Sequence, residues 1–362
     1  MSTKNLYVIL GARPQFIKFA PLYQSLSKLE NLNQIILHTG QHYDKNMSEV
    51  FFSDLGIPQP HINLNINNLS RGQMIGKMIE KIDIEFINNN PDIVLIFGDT
   101  NSTLAGAVAA SSFNCEIIHV ESGLRSFNKD MPEEHNRIVA DHLSTILCVT
   151  SDVPMINLKN EGFDDSKLFL TGDIMLDTFL SKKKLILSSH FHEEYNLKRN
   201  EYILTTIHRQ ENTSNEDTLS KIFLTLNEIS KNILPILLPL HPSTKNKLDN
   251  LNLDLSYIKI ISPCDYVKFL SLVSDSNFII TDSGGLQKEA YYLRKKSMVL
   301  RKETEWVELA NNKESFLVDP KNHAEIISTC KLLLNQITKN QNLYGDGTCS
   351  DKIVSIIEDL IN

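Results

Sequence analysis

A chain of 362 residues exceeds the roughly 250 to 300 residues at which a single hydrophobic core stops growing, so two cores and one boundary are expected. Its composition, 41% hydrophobic and 22% charged with 14 Gly and 12 Pro, excludes disordered and fibrous classes, and a net charge of −8 argues against a broad nucleic-acid surface. The five cysteines are scattered, without CxxC pairs or zinc-ligand spacing, which points to reduced thiols in a cytoplasmic protein and to no metal.

The N-terminal run LYVIL enters a turn at Gly11 instead of the longer apolar region and cleavage site of a secretory signal, and no run approaches the length of a membrane span. In GARPQFIK, Arg13 and Lys18 flank the start of a helix, where free N–H groups and the dipole attract anions. The alternative is a tight turn with Pro14 near the first helical position and two solvated cations. IVLIF then runs into Gly98 and Asp99, and CEIIHV into Glu121, followed by Arg125 and by MPEEHNR with Glu133, Glu134, His135 and Arg137. Alternation along an extended strand places His119 and Glu121 on one side. Asp99, Glu121 and Glu133, at or near strand ends, could form a carboxylate cluster in which at least one pKa is raised, as abstraction of a C–H proton requires. Taken singly each reads as structural, Asp99 as a cap for the helix in NSTLAGAVAA and Glu133 and Glu134 as first-turn acids.

After TGDIMLDTF the sequence passes into SKKKLILSSHFHEEYNLKRN, which sets a boundary between residues 173 and 182 and divides the chain into 1–176, 177–344 and 345–362. YILTTI ends at His208 and Arg209, and LPLHPSTK carries His241; a His and an Arg so placed could bind a diphosphate or move protons, although a lone His is as readily a satisfied surface residue. NFII leads into TDSGGLQKEA, where Ser283, Gly284 and Gly285 would let a phosphate approach the backbone and Glu289 could accept the hydroxyls of a ribose. The bland alternative is a helix capped by Asp282 or Ser283 with Glu289 in solvent. The final segment DKIVSIIEDLIN has apolar residues at helical spacing and reads as an amphipathic closing helix. Strands that alternate with helices predict an α/β fold with parallel sheets, whose ligands bind beyond the carboxyl ends of the strands.

Together GARPQFIK, TGQHYD, GDTNSTLAGA, HVESGLRS, MPEEHNR, TIHRQEN and TDSGGLQKEA, in this order and across nearly the whole chain, resemble the non-hydrolysing UDP-N-acetylglucosamine 2-epimerases. The resemblance implies two Rossmann-like domains with parallel sheets facing a central cleft, as in GT-B glycosyltransferases, with the last helix crossing back to the first domain. It implies a homodimer that binds a UDP-sugar, with no cofactor, nucleic acid or membrane involved. The implied reaction is anti elimination of UDP to a 2-acetamidoglucal, then re-addition with a proton delivered to the other face of C2, converting UDP-GlcNAc to UDP-ManNAc for surface polysaccharide precursors. Carried over by motif, Arg13, Lys18, Asp99, Glu121, Glu133, Arg137 and His208 would face the sugar and diphosphate, with Arg209 and His241 as further binding residues. Ser283, Gly284 and Gly285 would hold the phosphates, Glu289 the ribose and Phe269 the uracil. Asp99, Glu121 and Glu133, with His208, are the candidates for catalysis, and acid and base are not assigned individually.

Two departures are informative. Gln15 stands where the best-known members have an acid, and RKETEWVEL at 301–309 replaces a more usual Thr/Arg/Pro-containing segment. Both resemble the subgroup that includes epimerases of UDP-2,3-diacetamido-2,3-dideoxyglucuronate, whose C6 carboxylate would need a cationic or hydrogen-bonding partner; Lys302, Lys129 and Arg125 are candidates, and equally well read as solvated charges. TGQHYDKNM also differs from the form associated with allosteric binding of UDP-N-acetylglucosamine. The competing readings are a GT-B glycosyltransferase, which would need an acceptor surface, a hydrolysing epimerase that releases the free sugar, and a non-catalytic sensor that would leave the acids unexplained.

Overall fold

A computed structural model describes residues 3–41, 52–53, 55–240, 242–334, 336–338 and 342–362. The chain divides into two compact units, Met1–Thr178 with Asn342–Asn362, and Phe179–Gln341.

In the first unit β1 (Lys4–Leu10), α1 (Arg13–Leu26), β2 (Leu32–His38), β3 (Ile62–Asn63), α2 (Arg71–Asn88), β4 (Ile93–Phe97), α3 (Asn101–Ala110), β5 (Glu116–Ser122), α4 (Pro132–Leu143), β6 (Ile146–Val149), α5 (Asp152–Asn160) and β7 (Leu168–Leu170) follow one another. The seven strands form a parallel sheet in the order β3-β2-β1-β4-β5-β6-β7. Its apolar runs are continuous because both faces are covered. Leu6, Val8 and Leu10 of β1 and Ile93, Leu95 and Phe97 of β4 enter one core, while Tyr7, Ile9, Val94 and Ile96 enter the core on the opposite face. On that second face Ala105, Ala107, Ala109 and Ala110 of α3 permit close packing; a β-carbon on Gly106 would meet Ile96 and Ile9 side chains at 3.1 and 3.2 Å.

The second unit follows α6 (Ile174–Ser188), which starts in the first. It comprises β8 (Ile203–Thr206), α7 (Gln210–Thr213), α8 (Glu216–Asn232), β9 (Ile236–Pro239), α9 (Pro242–Asn250), β10 (Ile258–Ile261), α10 (Tyr266–Asp275), β11 (Ile279–Thr281), α11 (Gly284–Tyr292), β12 (Ser297–Val299), α12 (Val307–Asn311), β13 (Ser315–Leu317) and α13 (His323–Leu333). Its six-stranded parallel sheet runs β10-β9-β8-β11-β12-β13. Leu219, Ile222, Phe223, Leu226 and Ile229 recur at helical spacing along α8 and lie in the same core as Ile203, Ile280 and Met298.

The last helix, α14 (Cys349–Ile361), belongs to the first unit. Cys349, Ile353, Ile357 and Ile361, spaced four apart, enter the core that also holds Phe16, Phe19 and Leu22 of α1. Asp177 accepts hydrogen bonds from Ser350 N and Oγ at 2.7 and 2.6 Å and from Cys349 N at 3.3 Å, so a carboxylate of α6 caps the amino end of α14. No helix among the described residues is long and apolar enough to cross a membrane, and the five cysteines are free thiols.

Candidate functional site

In each sheet the strand order reverses direction beside its first strand, β1/β4 in the first unit and β8/β11 in the second. Connections leaving the carboxyl ends of these strand pairs part to opposite sides and open a crevice. The polar residues singled out at strand ends therefore fall at the two switch points.

At β1/β4 the turns are fixed by Gln15, which is 1% exposed. Its Oε1 accepts from Gly11 N at 2.8 Å and Ala12 N at 3.1 Å, and its Nε2 donates to the Phe97 carbonyl at 3.0 Å and to Thr103 Oγ1 at 3.1 Å. An ionised acid could accept the first two bonds but could not donate to the Phe97 carbonyl. The departure at Gln15 thus changes the scaffold under the switch point, while the residue itself is buried. Gly11 is required by packing: a β-carbon there would lie 1.8 Å from Ser102 Oγ and 2.3 Å from Thr39 Oγ1.

Above this floor Lys18 Nζ meets Glu121 Oε1 at 2.7 Å. Gly98, with φ of 62°, leaves the room, since its β-carbon would stand 3.1 Å from Lys18 Nζ and 3.7 Å from Glu121 Oε1. Asp99 Oδ2 receives Arg137 through Nη2 at 2.6 Å and Nε at 3.0 Å. Arg137 also donates to Glu134 Oε2 at 2.8 Å. The helix cap expected of Asp99 falls to Thr100, whose side chain accepts from Thr103 N, and this leaves the Asp99 carboxylate to Arg137. Glu133 is half-buried in the first turn of α4, and Arg13 is half-buried at the first position of α1. Asp99 and Glu121 each hold a cation of their own, so the two carboxylates stand in two ion pairs.

Two further expectations need correction. His119 and Glu121 do not share one face of an extended strand: Glu121 has φ of 70° and the β5–β6 register shifts between Val120 and Ser122. His119, fully buried, places Nδ1 2.7 Å from Asp141 Oδ1 and Nε2 2.7 Å from the Gly98 carbonyl. Arg125 is not available to a substrate carboxylate. It is 2% exposed, bonded to Asp141 Oδ2 and to both oxygens of Glu161 at 2.7 Å. Burial acts to raise the Asp141 carboxyl, but the bonds and charges of His119 and Arg125 prevail and hold it below the usual carboxylate range.

At β8/β11 the organiser is Asp282, fully buried. It accepts from His208 N and Arg209 N at 3.0 Å and from Asn212 Nδ2 at 3.1 Å, and its other oxygen lies 3.1 Å from His208 Nδ1. Burial opposes its charge, yet His208 and these donors keep its carboxyl below the ordinary value. The His208 side chain remains 55% exposed, anchored through one ring nitrogen with the other edge toward solvent. Arg209 lies 3.6 Å from Glu211. Ser283 is the N-cap of α11, accepting from Leu286 N at 3.4 Å. The two glycines differ: the side of Gly284 is filled by Glu305, whose Oε1 would be 2.1 Å from an added β-carbon, whereas a β-carbon on Gly285 would meet nothing within 4 Å. The open approach to the helix N-terminus is at Gly285. Glu289 is buried further along α11, and Phe269 is half-buried in the first turn of α10. His241 and the TGQHYDKNM segment beyond Gln41 lie outside the described residues.

Of the cations considered for a C6 carboxylate, Lys302 is exposed and 3.2 Å from Asp319, and Lys129 is exposed. Sequence reasoning missed Asp141, and it named Gln15, Glu134 and Asp282 without finding the contacts by which they hold the site. Asp282 shared the signal that found the others, a polar residue just after an apolar run. Among the described residues one set could hold a metal ion, His190, His192 and Asp275, with ligand atoms within 4.8 Å of one another. It sits where α10 ends and β11 has yet to begin, at the amino end of the strands, opposite the carboxyl end that leads to His208, and Arg199 Nε already occupies Asp275 at 3.0 Å.

The sequence profile of the UDP-N-acetylglucosamine 2-epimerase family matches residues 24–358. The chain is 41% identical over 363 residues to a UDP-N-acetylglucosamine 2-epimerase homolog of Methanococcus maripaludis, spanning 98% of this chain and 100% of the relative. It is 41% identical over 359 residues to the UDP-2,3-diacetamido-2,3-dideoxy-D-glucuronate 2-epimerase of Pseudomonas aeruginosa, with the same coverage, 98% and 100%. The crystal structure of the Methanocaldococcus jannaschii UDP-GlcNAc 2-epimerase in complex with UDP-GlcNAc and UDP matches with a TM-score of 0.91 at 36% identity, covering 98% of this chain and 99% of that one.

Proposed function

The chain belongs to the UDP-N-acetylglucosamine 2-epimerases, an isomerase family, and from that premise we propose that it inverts C2 of a UDP-2-acetamido sugar, UDP-GlcNAc to UDP-ManNAc, without net hydrolysis. The observation that carries this reading is the β1/β4 switch point, where Glu121 on Lys18 and Asp99 on Arg137 set two carboxylates beside one turn glycine. One carboxylate removes the C2 proton as the C1–O bond breaks and UDP leaves with the bonding pair, giving a glycal. A proton then returns to the opposite face of C2 as UDP re-adds at C1. Glu133, Lys18, Arg13 and Arg137 serve the sugar side. In the second unit His208 and Arg209, set by Asp282, and the open N-terminus of α11 at Gly285 take the diphosphate, with Glu289 for the ribose and Phe269 for the base.

Incubation with UDP-GlcNAc in deuterated water, followed by NMR, tests the reading. It expects UDP-ManNAc carrying deuterium at C2. Free N-acetylmannosamine with UDP would make the enzyme a hydrolysing one, and product without deuterium at C2 would end the proton-exchange mechanism. A second substrate, UDP-2,3-diacetamido-2,3-dideoxyglucuronate, is favoured by the 41% identity to the Pseudomonas aeruginosa enzyme that carries that name. Side-by-side assays decide between the two sugars. A site built for one should reject the other strongly, because polar groups that meet the missing substituent would be left unpaired.

A further inference from the structure

Glu121 occupies a backbone conformation that a residue with a β-carbon holds only under constraint, and the constraint can be traced. On one side, Gly98 N donates to the Val120 carbonyl at 2.9 Å, and the Gly98 carbonyl faces His119 Nε2 at 2.7 Å. On the other, Gly123, itself at φ of 76°, donates its N–H to Asp141 Oδ2 at 3.1 Å. His119 Nδ1 and Asp141 Oδ1, 2.7 Å apart, close the loop. A single His–Asp pair therefore holds Gly98, the residue before Asp99, through its carbonyl and Gly123, two residues after Glu121, through its N–H, while Gly98 in turn holds the Val120 carbonyl. Beyond Asp141 the chain of contacts continues through Arg125 to Glu161, whose side chain is 27% exposed.

From this we infer that His119 and Asp141 are positioning residues for the proton transfers, acting through the backbone turn that aims Glu121. The inference rests on the proposed epimerase reading. Neither residue reaches the crevice, both being fully buried, so neither touches substrate. A carbonyl and a carboxylate both accept, so the group between them has to donate at both ends, as an imidazole ring bearing two N–H groups does. Glutamine offers donors at one end only and would turn its own oxygen toward one of the two acceptors.

The experiment is a double-mutant cycle of His119→Gln and Glu121→Gln, with turnover, KM, UDP affinity by calorimetry and thermal unfolding recorded for all four proteins. His119→Gln should lower kcat by about 100-fold, the scale of an ångström-level misplacement, with KM and UDP affinity within about threefold of wild type. In the Glu121→Gln background the same change should cost less than about threefold, because the group it aims is already gone. Full additivity of the two losses, or a loss in KM and UDP affinity instead of kcat, overturns the inference. If His119→Gln does not fold, Glu161→Gln serves in its place at the outer end of the network. A fall in kcat of about threefold to tenfold that disappears in the Glu121→Gln background supports the inference, and an unchanged kcat overturns it. Wild-type turnover with deuterium at C2 is scored first; an inactive wild type refutes the epimerase reading and the positioning role with it.

Discussion

Glu121 combines backbone strain and a close ion pair in one residue. Its left-handed conformation costs about 1–3 kcal/mol, yet it places a carboxylate 2.7 Å from the Lys18 ammonium. Asp99→Asn and Glu121→Gln are each expected to reduce turnover by about 100-fold or more, the scale of lost acid–base catalysis, while UDP affinity measured by calorimetry stays near wild type. Wild-type rates in either variant would remove that residue from the mechanism. Asp141 yields a pH prediction. Its folded pKa lies below the unfolded value near 3.8, so the stability it contributes is fully present above that pH and is lost as pH falls through the folded value. Urea midpoints should drop below about pH 4. Asp141→Asn should be less stable at neutral pH, where it leaves His119 without its anion and Arg125 with Glu161 alone, and should show a shallower acid slope. An identical slope in the two proteins would assign the acid sensitivity to other carboxylates.

At the scale of elements, both switch points depend on a buried side chain that stitches two turns together, Gln15 under β1/β4 and Asp282 under β8/β11. Asp282→Ala removes the acceptor shared by His208 N, Arg209 N and Asn212 Nδ2. With UDP placed on those turns, its affinity should weaken by about tenfold or more, since one lost buried acceptor is worth about 1–3 kcal/mol; calorimetry that finds unchanged affinity would detach these turns from the nucleotide. The strand ends around these stitches were legible because an apolar run that stops at a Gly, Asp, Glu or His is a local signal, and the alternation of such runs with helical patterns gave the α/β class. The stitches themselves were not. Gln15 reaches Phe97 and Asp282 reaches His208 across long stretches of chain, and no period or motif encodes which distant backbone group a polar side chain will meet. The same holds for Arg125. HVESGLRS marks it as a charge near a strand end, while its burial against Glu161 depends on how α5 packs. Extended-strand alternation failed at Glu121 because one left-handed residue inverts it, and a glutamate, unlike glycine or asparagine, does not advertise that conformation in a sequence.

At the scale of the molecule, the first unit is discontinuous: residues 179–341 form the second unit before the chain returns as α14. That return completes a core. Ile353 and Ile357 are fully buried among Phe16, Phe19 and Leu22, and Asp177 caps the returning helix. The sheet of the second unit closes on its own set of residues, Ile203 to Leu333. Two units whose cores share no residue mean that unfolding need not be one two-state event, and a lesion in one unit should be felt there first. Ile357→Ala should cost the first unit about 2–5 kcal/mol through lost burial and a residual cavity. In differential scanning calorimetry, run with and without saturating UDP, the transition that UDP does not raise should move down in this variant. The transition that UDP raises should stay in place, because a ligand that binds one folded unit stabilises that unit by mass action. UDP affinity at 25 °C should equal that of wild type. If both transitions fell together, or if UDP binding were lost with the α14 core, the nucleotide would depend on the first unit, and the assignment of UDP to the β8/β11 turns would have to be withdrawn.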